Sequence, residues 1–167
     1  MKNLLLFVFI VFTVLRSTNL FSQNVMINVL TQNLGIVKKG KIIFFEIKIS
    51  NTSATASIPP YKLRPQISFP ATIVDVETTG HILPKGWAIT SNKNGVILLT
   101  NGTDVMAENE NRTILIAIKG KSKGGPSSIT GNLTFGNGIA PGAAAGLPLA
   151  GDNIADNASS STVKVIK

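Results

Sequence analysis

Cysteine is missing from all 167 residues. That absence removes thiol nucleophiles, zinc–thiolate sites, iron–sulfur clusters and disulfide staples, so a stable fold has to rest on a buried apolar core. Histidine is almost missing too. His81 is the only one and follows Gly80 in a turn-like stretch, so a metal centre built on two histidines cannot form within one chain. Outside phenylalanine the aromatics are one Trp and one Tyr, which leaves few faces on which a sugar or a base could stack. Acidic residues number 8 against 16 Lys and Arg. No segment after the N-terminal leader carries a sustained apolar stripe of helical period.

Catalytic motifs are thin. Gly120-Lys121-Ser122 has the last three letters of a phosphate loop, but Leu115 stands where its first glycine is required, and no helix follows to receive a phosphate. The stretch "GPSSI" fails the nucleophile-elbow pattern at its last position. Glu108 and Glu110 share a polar loop, whereas general acid–base work needs carboxylates that converge across a cleft.

The chain begins with Lys2 and Asn3, then twelve residues, Leu4–Leu15, apolar except for Thr13, then Arg16. A short basic start and an apolar core of about 7–15 residues is the pattern of a secretory signal peptide. A membrane-spanning helix needs about 20 apolar residues, more than this run has. Cleavage is expected after Ser22, giving a signal peptide over 1–22 and one domain over 23–167. No cysteine follows to take a lipid anchor. Removing Lys2 and Arg16 lowers the net charge from +8 to +6.

The remaining pattern has period two. In "KIIFFEIKIS", Ile43, Phe45, Ile47 and Ile49 alternate with Phe44, Glu46, Lys48 and Ser50, which predicts a half-buried antiparallel strand. "RTILIAIKGK" repeats the alternation with Ile114, Ile116 and Ile118. Leu115 and Ala117 make its second face apolar, which predicts a central strand. "NVMINVL", "PQISFP", "ATIVDVE", "SSITGNLTF" and "STVKVIK" read as further strands. In "SSITGNLTF", Gly131 marks a bulge or a close backbone approach. "GWAIT" and "GVILLT" flank Asn94-Gly95, a tight-turn dipeptide for a hairpin. About eight or nine short strands bounded by turn residues predict an all-β sandwich or barrel. The segment "GNGIAPGAAAGLPLAG" holds five Gly and five Ala in sixteen residues and reads as a long surface loop.

Several residues are candidates for binding. Asp152-Asn153 and Asp156-Asn157 could hold calcium, with help from elsewhere, such as Asp104, because calcium takes about six to eight oxygens. Standing before an alternating strand, they read first as a turn. Trp87 and Tyr61 could stack on carbohydrate, although Trp87 also suits a sandwich core if its ring N–H finds one partner. Lys38, Lys39 and Lys41 form one basic cluster, and Lys119, Lys121 and Lys123 alternate as on one strand face. Neither cluster has the interleaved aromatics of a single-strand nucleic-acid platform, so no nucleic-acid partner is expected. Five Asn-x-Ser/Thr triplets begin at Asn51, Asn101, Asn111, Asn132 and Asn157.

Three landmarks fall in order: "GKIIFFEIKISNT" with its closing Asn51-Thr52, the "LPKGW" corner from Leu83 to Trp87, and "GDNIADNASSSTVKV". This order resembles the Ig-like conserved repeat domains of bacterial surface proteins and adhesins, the type called domain of unknown function eleven. The resemblance spans about Val25 to Ile166, although the stretch between Asn51 and Leu83 is longer than in the repeats. It implies an Ig-like antiparallel β-sandwich with an adhesive or structural role, no catalytic residues and no cofactor. The expectation is an exported, non-enzymatic module in the periplasm, at the cell surface or outside the cell. Its partner would be another envelope or extracellular protein or polysaccharide, with self-assembly through an open edge strand as a further route. A carbohydrate- or calcium-binding accessory module is the alternative.

Overall fold

Alternation along β3 (Ile42–Asn51) decides which of its sides meets the core. Phe45, Ile47 and Ile49 are fully buried, while Phe44, Glu46 and Lys48 are half-covered. The structure is a computed structural model that describes residues 23–139 and 145–167. The signal peptide expected over 1–22 lies outside the described residues.

β8 (Asn111–Gly120) runs antiparallel to β3, with Phe45 opposite Ile116 and Ile47 opposite Ile114. β1 (Val25–Thr31) flanks β3, and β5 (Val74–Val76) flanks β8, giving the order β1-β3-β8-β5. The interior place of β8 agrees with its two apolar faces, and Ala117 is buried along with Ile114, Ile116 and Ile118. The second sheet contains β2 (Ile36–Lys38), β4 (Leu63–Ser68), β6 (Ala88–Lys93), β7 (Val96–Thr100), β9 (Gly124–Phe135) and β10 (Ala158–Ile166). Its order is β2-β10-β9-β4-β7-β6.

The two sheets face each other across one apolar layer, in which Phe45 meets Phe69 edge to face with ring centroids 5.9 Å apart. The fold is thus an Ig-like β-sandwich. Its described residues form ten strands where the sequence predicts eight or nine. The extra one is β2, three residues long and hidden in the first lysine cluster. It pairs parallel to β10, and Val37 is buried. Asn94 and Gly95 have φ of 54° and 78°, the left-handed pair that a two-residue hairpin turn requires. Gly131 marks a close approach and not a bulge, since pairing on both its sides is regular. A Cβ there would stand 2.6 Å from Val29 Cγ2 in the opposite sheet.

The edges are short or capped. Thr52 N–H donates to Asn24 C=O, so alternate β1 amides, those of Val25, Ile27 and Val29, point away from β3. Val25 N–H then donates to Asp152 Oδ1 at 3.1 Å, and Val29 N–H to Ser159 Oγ at 3.0 Å. β2 and β5 are three residues each. β6 has a register shift between Ile89 and Ser91 and ends on exposed Lys93. Short, capped or irregular edges of this kind leave little regular open backbone for another chain. The ten-residue strands β3 and β8 separate the two ends of the sandwich by roughly 30 Å. Among the described residues no helix is long and apolar enough to cross a membrane.

Candidate functional site

The end of the sandwich where β3 closes and β8 begins carries most of the residues singled out in the sequence. Two of the Asn-x-Ser/Thr asparagines organise its loops. Asn51 donates through Nδ2 to Ala56 O and Ala107 O, both at 2.9 Å, and its Oδ1 accepts from Ser53 N. Asn101 accepts from Leu63 N at 2.9 Å and donates to Pro59 O and Asp104 O at 2.9 and 2.8 Å. Both side chains are buried, as is Asn157, so these three cannot carry a glycan. Asn111 and Asn132 are exposed.

Trp87 sits at the "LPKG" corner, its N–H bonded back to Pro84 O. The residue is 6% exposed, and its ring N–H donates to Asp104 Oδ2 at 2.7 Å. Buried in this way, it offers no face to a sugar, which removes it as a stacking platform. Tyr61 is half-buried with φ of 55°, and its N–H donates to Gly102 O in the same 100–104 turn. The two aromatics therefore meet one turn, but they do not form a pair of open faces.

Asp104 belongs to a charged network. Arg112 reaches Asp104 through Nε at 2.7 Å and Nη2 at 3.1 Å, and reaches Glu110 Oε2 through Nη2 at 2.9 Å. The bonds from Asp104 hold the Arg112 guanidinium above its ordinary value. The Ala107 N–H, and then Arg112, hold the Glu110 carboxyl below its ordinary 4.5. A lowered carboxyl contributes stability above its ordinary value, and that contribution is lost as pH falls through the lowered one. Wild-type protein is therefore expected to lose urea resistance as pH falls below the ordinary 4.5 of Glu110. Glu110→Gln should lose less over the same fall. Equal losses in the two proteins would contradict this role.

Asp152 precedes and Asp156 closes a short 3-10 turn, Ile154–Asp156, capped by Asn153. The turn reading holds, and each carboxylate has amide partners. Asp152 accepts from Val25 N–H and, at 2.6 Å, from Asn157 Nδ2. Asp156 Oδ2 accepts from Asn24 Nδ2 at 3.1 Å. Asp156 Oδ1 and Asn157 Oδ1 are buried without a partner. Asp104, suggested as a third calcium ligand, is committed to Arg112 and Trp87. Among the described residues no group of three or more His, Cys, Asp or Glu could hold a metal ion.

His81 fills a gap along the outer edge of β8. Its Nδ1 accepts from Ala117 N at 3.1 Å, which places the ring hydrogen on Nε2. It has a structural task that the sequence, reading it only as a lone loop residue, does not reveal.

Next to the Asp/Asn turn, the ends of β9 and β10 and the described part of the Gly/Ala segment enclose a groove of about 380 Å³. Phe135, Gly146, Pro148 and Ile154 line it, with Asn132 and Thr134 on its polar side. Leu147 is 81% exposed and Ile154 72%. Residues 140–144 of the segment lie outside the described residues.

No protein-family model matches the sequence, the surface-repeat family included, and no curated protein matches it. Solved structures do match. A chain of the CaDoc0917–CaCohA2 complex is 14% identical, with 84% of this chain and 100% of that chain covered and a TM-score of 0.50. A cohesin module from a Clostridium perfringens family 33 glycoside hydrolase is 14% identical, covering 87% and 97%, with a TM-score of 0.48. The CARDB domain of a Pyrococcus furiosus protein, solved in complex with di-metal ions, is 11% identical, covering 87% and 90%, with a TM-score of 0.48. At such identities the likeness is one of fold. The class, an Ig-like sandwich, rests on the two packed sheets themselves, and a fold does not assign a function.

Proposed function

We propose that this chain is an exported, non-catalytic Ig-like module that acts by binding, at the cell envelope or outside the cell. The observation that carries the reading is the groove beside the Gly/Ala segment. Ile154 lines it and Leu147 lies between its lining residues Gly146 and Pro148; both side chains are largely exposed, and exposed aliphatics at a concave surface suit a protein partner. The occupant it suits is an apolar segment of another envelope or extracellular protein. Export rests on the Lys2 to Ser22 leader. The order of the three sequence landmarks supports a surface-repeat type of module with an adhesive or structural role.

The double variant Leu147→Asp, Ile154→Asp tests this. Both side chains are exposed, so its thermal midpoint should stay within a few degrees of wild type. Wild-type mature protein is expected to retain a defined protein from envelope or culture-fluid fractions, and the variant to lose it. Retention equal in both, or no such protein at all, would overturn the reading.

A calcium-binding module is the second reading, favoured by one observation, the two buried oxygens of Asp156 and Asn157 that lack partners. A rise in thermal midpoint with millimolar calcium, lost in Asp156→Asn, would support it. No shift would dispose of it.

A further inference from the structure

The two lysine clusters, about eighty residues apart in sequence, are stitched together by backbone. Gly120 lies between Lys119 and Lys121. Its C=O accepts from Gly40 N–H at 2.7 Å, and its N–H donates to Lys41 C=O at 3.0 Å. The same turn continues into β10, because Lys39 N–H donates to Ile166 C=O at 2.9 Å. One end of the sandwich, opposite the groove, therefore carries Lys38, Lys39 and Lys41 at the end of β2 and on the β2–β3 turn, and Lys119, Lys121 and Lys123 at the end of β8 and on the β8–β9 turn. Lys164, level with Ile36, and Lys167 extend it along β10. All eight are exposed.

One acid is paired with them. Asp75 is level with Lys119 and lies 3.1 Å from Lys121, with both partners about half exposed, so the pair is screened and neutralises little. The rest of the chain from Gln23 onward holds six cations and seven acids. The whole positive excess thus sits at one end. Two aliphatic side chains stand among these lysines. Ile36 is 42% exposed beside Lys164, and Ile42 is 53% exposed opposite Lys119.

We propose that this end docks on an anionic phospholipid surface. The lysines meet headgroup phosphates, while Ile36 and Ile42 enter the boundary between headgroups and acyl chains. A linear polyanion gains nothing from exposed isoleucine, whereas a headgroup layer accommodates both the cations and the aliphatics. Docked this way, the module holds its groove roughly 30 Å from the membrane, facing outward.

The test uses mature protein with vesicles of phosphatidylcholine alone or with about one third phosphatidylglycerol. Sedimentation with the anionic vesicles only, lost at high salt, is expected. The variant Lys39→Glu, Lys41→Glu, Lys119→Glu, Lys121→Glu should bind at least about a hundredfold more weakly, since each lysine near an anionic surface contributes about fivefold. The four Gln replacements serve if the Glu variant does not fold, and should lose a smaller factor. Because the chain has no cysteine, Ile42→Cys can carry a single environment-sensitive dye. Its emission should shift to the blue on anionic vesicles, while a Leu147→Cys label should not move. Absence of binding to anionic vesicles, or a Leu147→Cys label that shifts with the Ile42→Cys one, would overturn the proposal. So would tighter binding to heparin or duplex DNA than to the vesicles.

Discussion

Asn101→Leu should destabilise the mature protein by about 3–5 kcal/mol. The replacement keeps the same branched skeleton of heavy atoms and leaves no cavity, so the loss comes chiefly from hydrogen bonds, with some crowding from the larger methyl groups. Leu63 N–H, Pro59 C=O and Asp104 C=O all lose their partner at once. Leu63 is fully buried, and its amide has no water to turn to. A buried donor left unpaired costs about 1–3 kcal/mol, and the two carbonyls add less where solvent can reach them. Asn111→Leu is the control. It belongs to the same kind of Asn-x-Thr triplet but is exposed, and should change stability by less than about 0.5 kcal/mol. Urea unfolding followed by Trp87 fluorescence measures both. Similar losses in the two variants would show that the buried network is not what holds the loops.

Asp104→Ala should cost about 2–4 kcal/mol, because it strands two partners. Arg112 loses the two bonds at 2.7 and 3.1 Å and keeps only Glu110 among carboxylates, and the Trp87 ring N–H loses its acceptor. The Arg112 side chain is 21% exposed, so water compensates only in part. Much of the cost is an uncompensated charge, so adding Arg112→Met should restore a good part of it. If the double variant is instead as unstable as the sum of the singles, Asp104 acts through something other than this pair.

Parity and turn chemistry made the sheets legible in the sequence. The alternation of Phe45, Ile47 and Ile49, the second apolar face of β8 and the Asn94-Gly95 turn each have a local cause, and each is found in the structure. β2 was not legible because three residues are too few for a period, and its lysines read as surface charge. The triplets at Asn51 and Asn101 look the same in sequence as those at Asn111 and Asn132. Only burial separates a loop pin from an exposed residue, and burial is decided by contacts about fifty residues away. Asp152 and Asp156 were legible as a turn. That Asp152 also caps the β1 edge depends on Val25, which pairing brings near from the other end of the domain.

The candidate surfaces were legible only in pieces. Each lysine cluster is visible in the sequence, but their union depends on Gly120 bonding Gly40 and Lys41 across the sandwich. Trp87, a rare aromatic in the sequence, is buried, and exposed apolar side chains stand instead at the groove. There the exposed residues are ordinary aliphatics that composition alone does not mark.

The proposed module binds through its two ends independently, with a protein at the groove and an anionic membrane at the lysines. The most direct measurement reverses each end separately and follows both partners. Leu147→Asp, Ile154→Asp should lose the retained protein and keep anionic vesicles. The fourfold Lys→Glu variant should do the opposite. If either variant loses both partners while remaining folded, or neither loses any, the two-ended account is wrong.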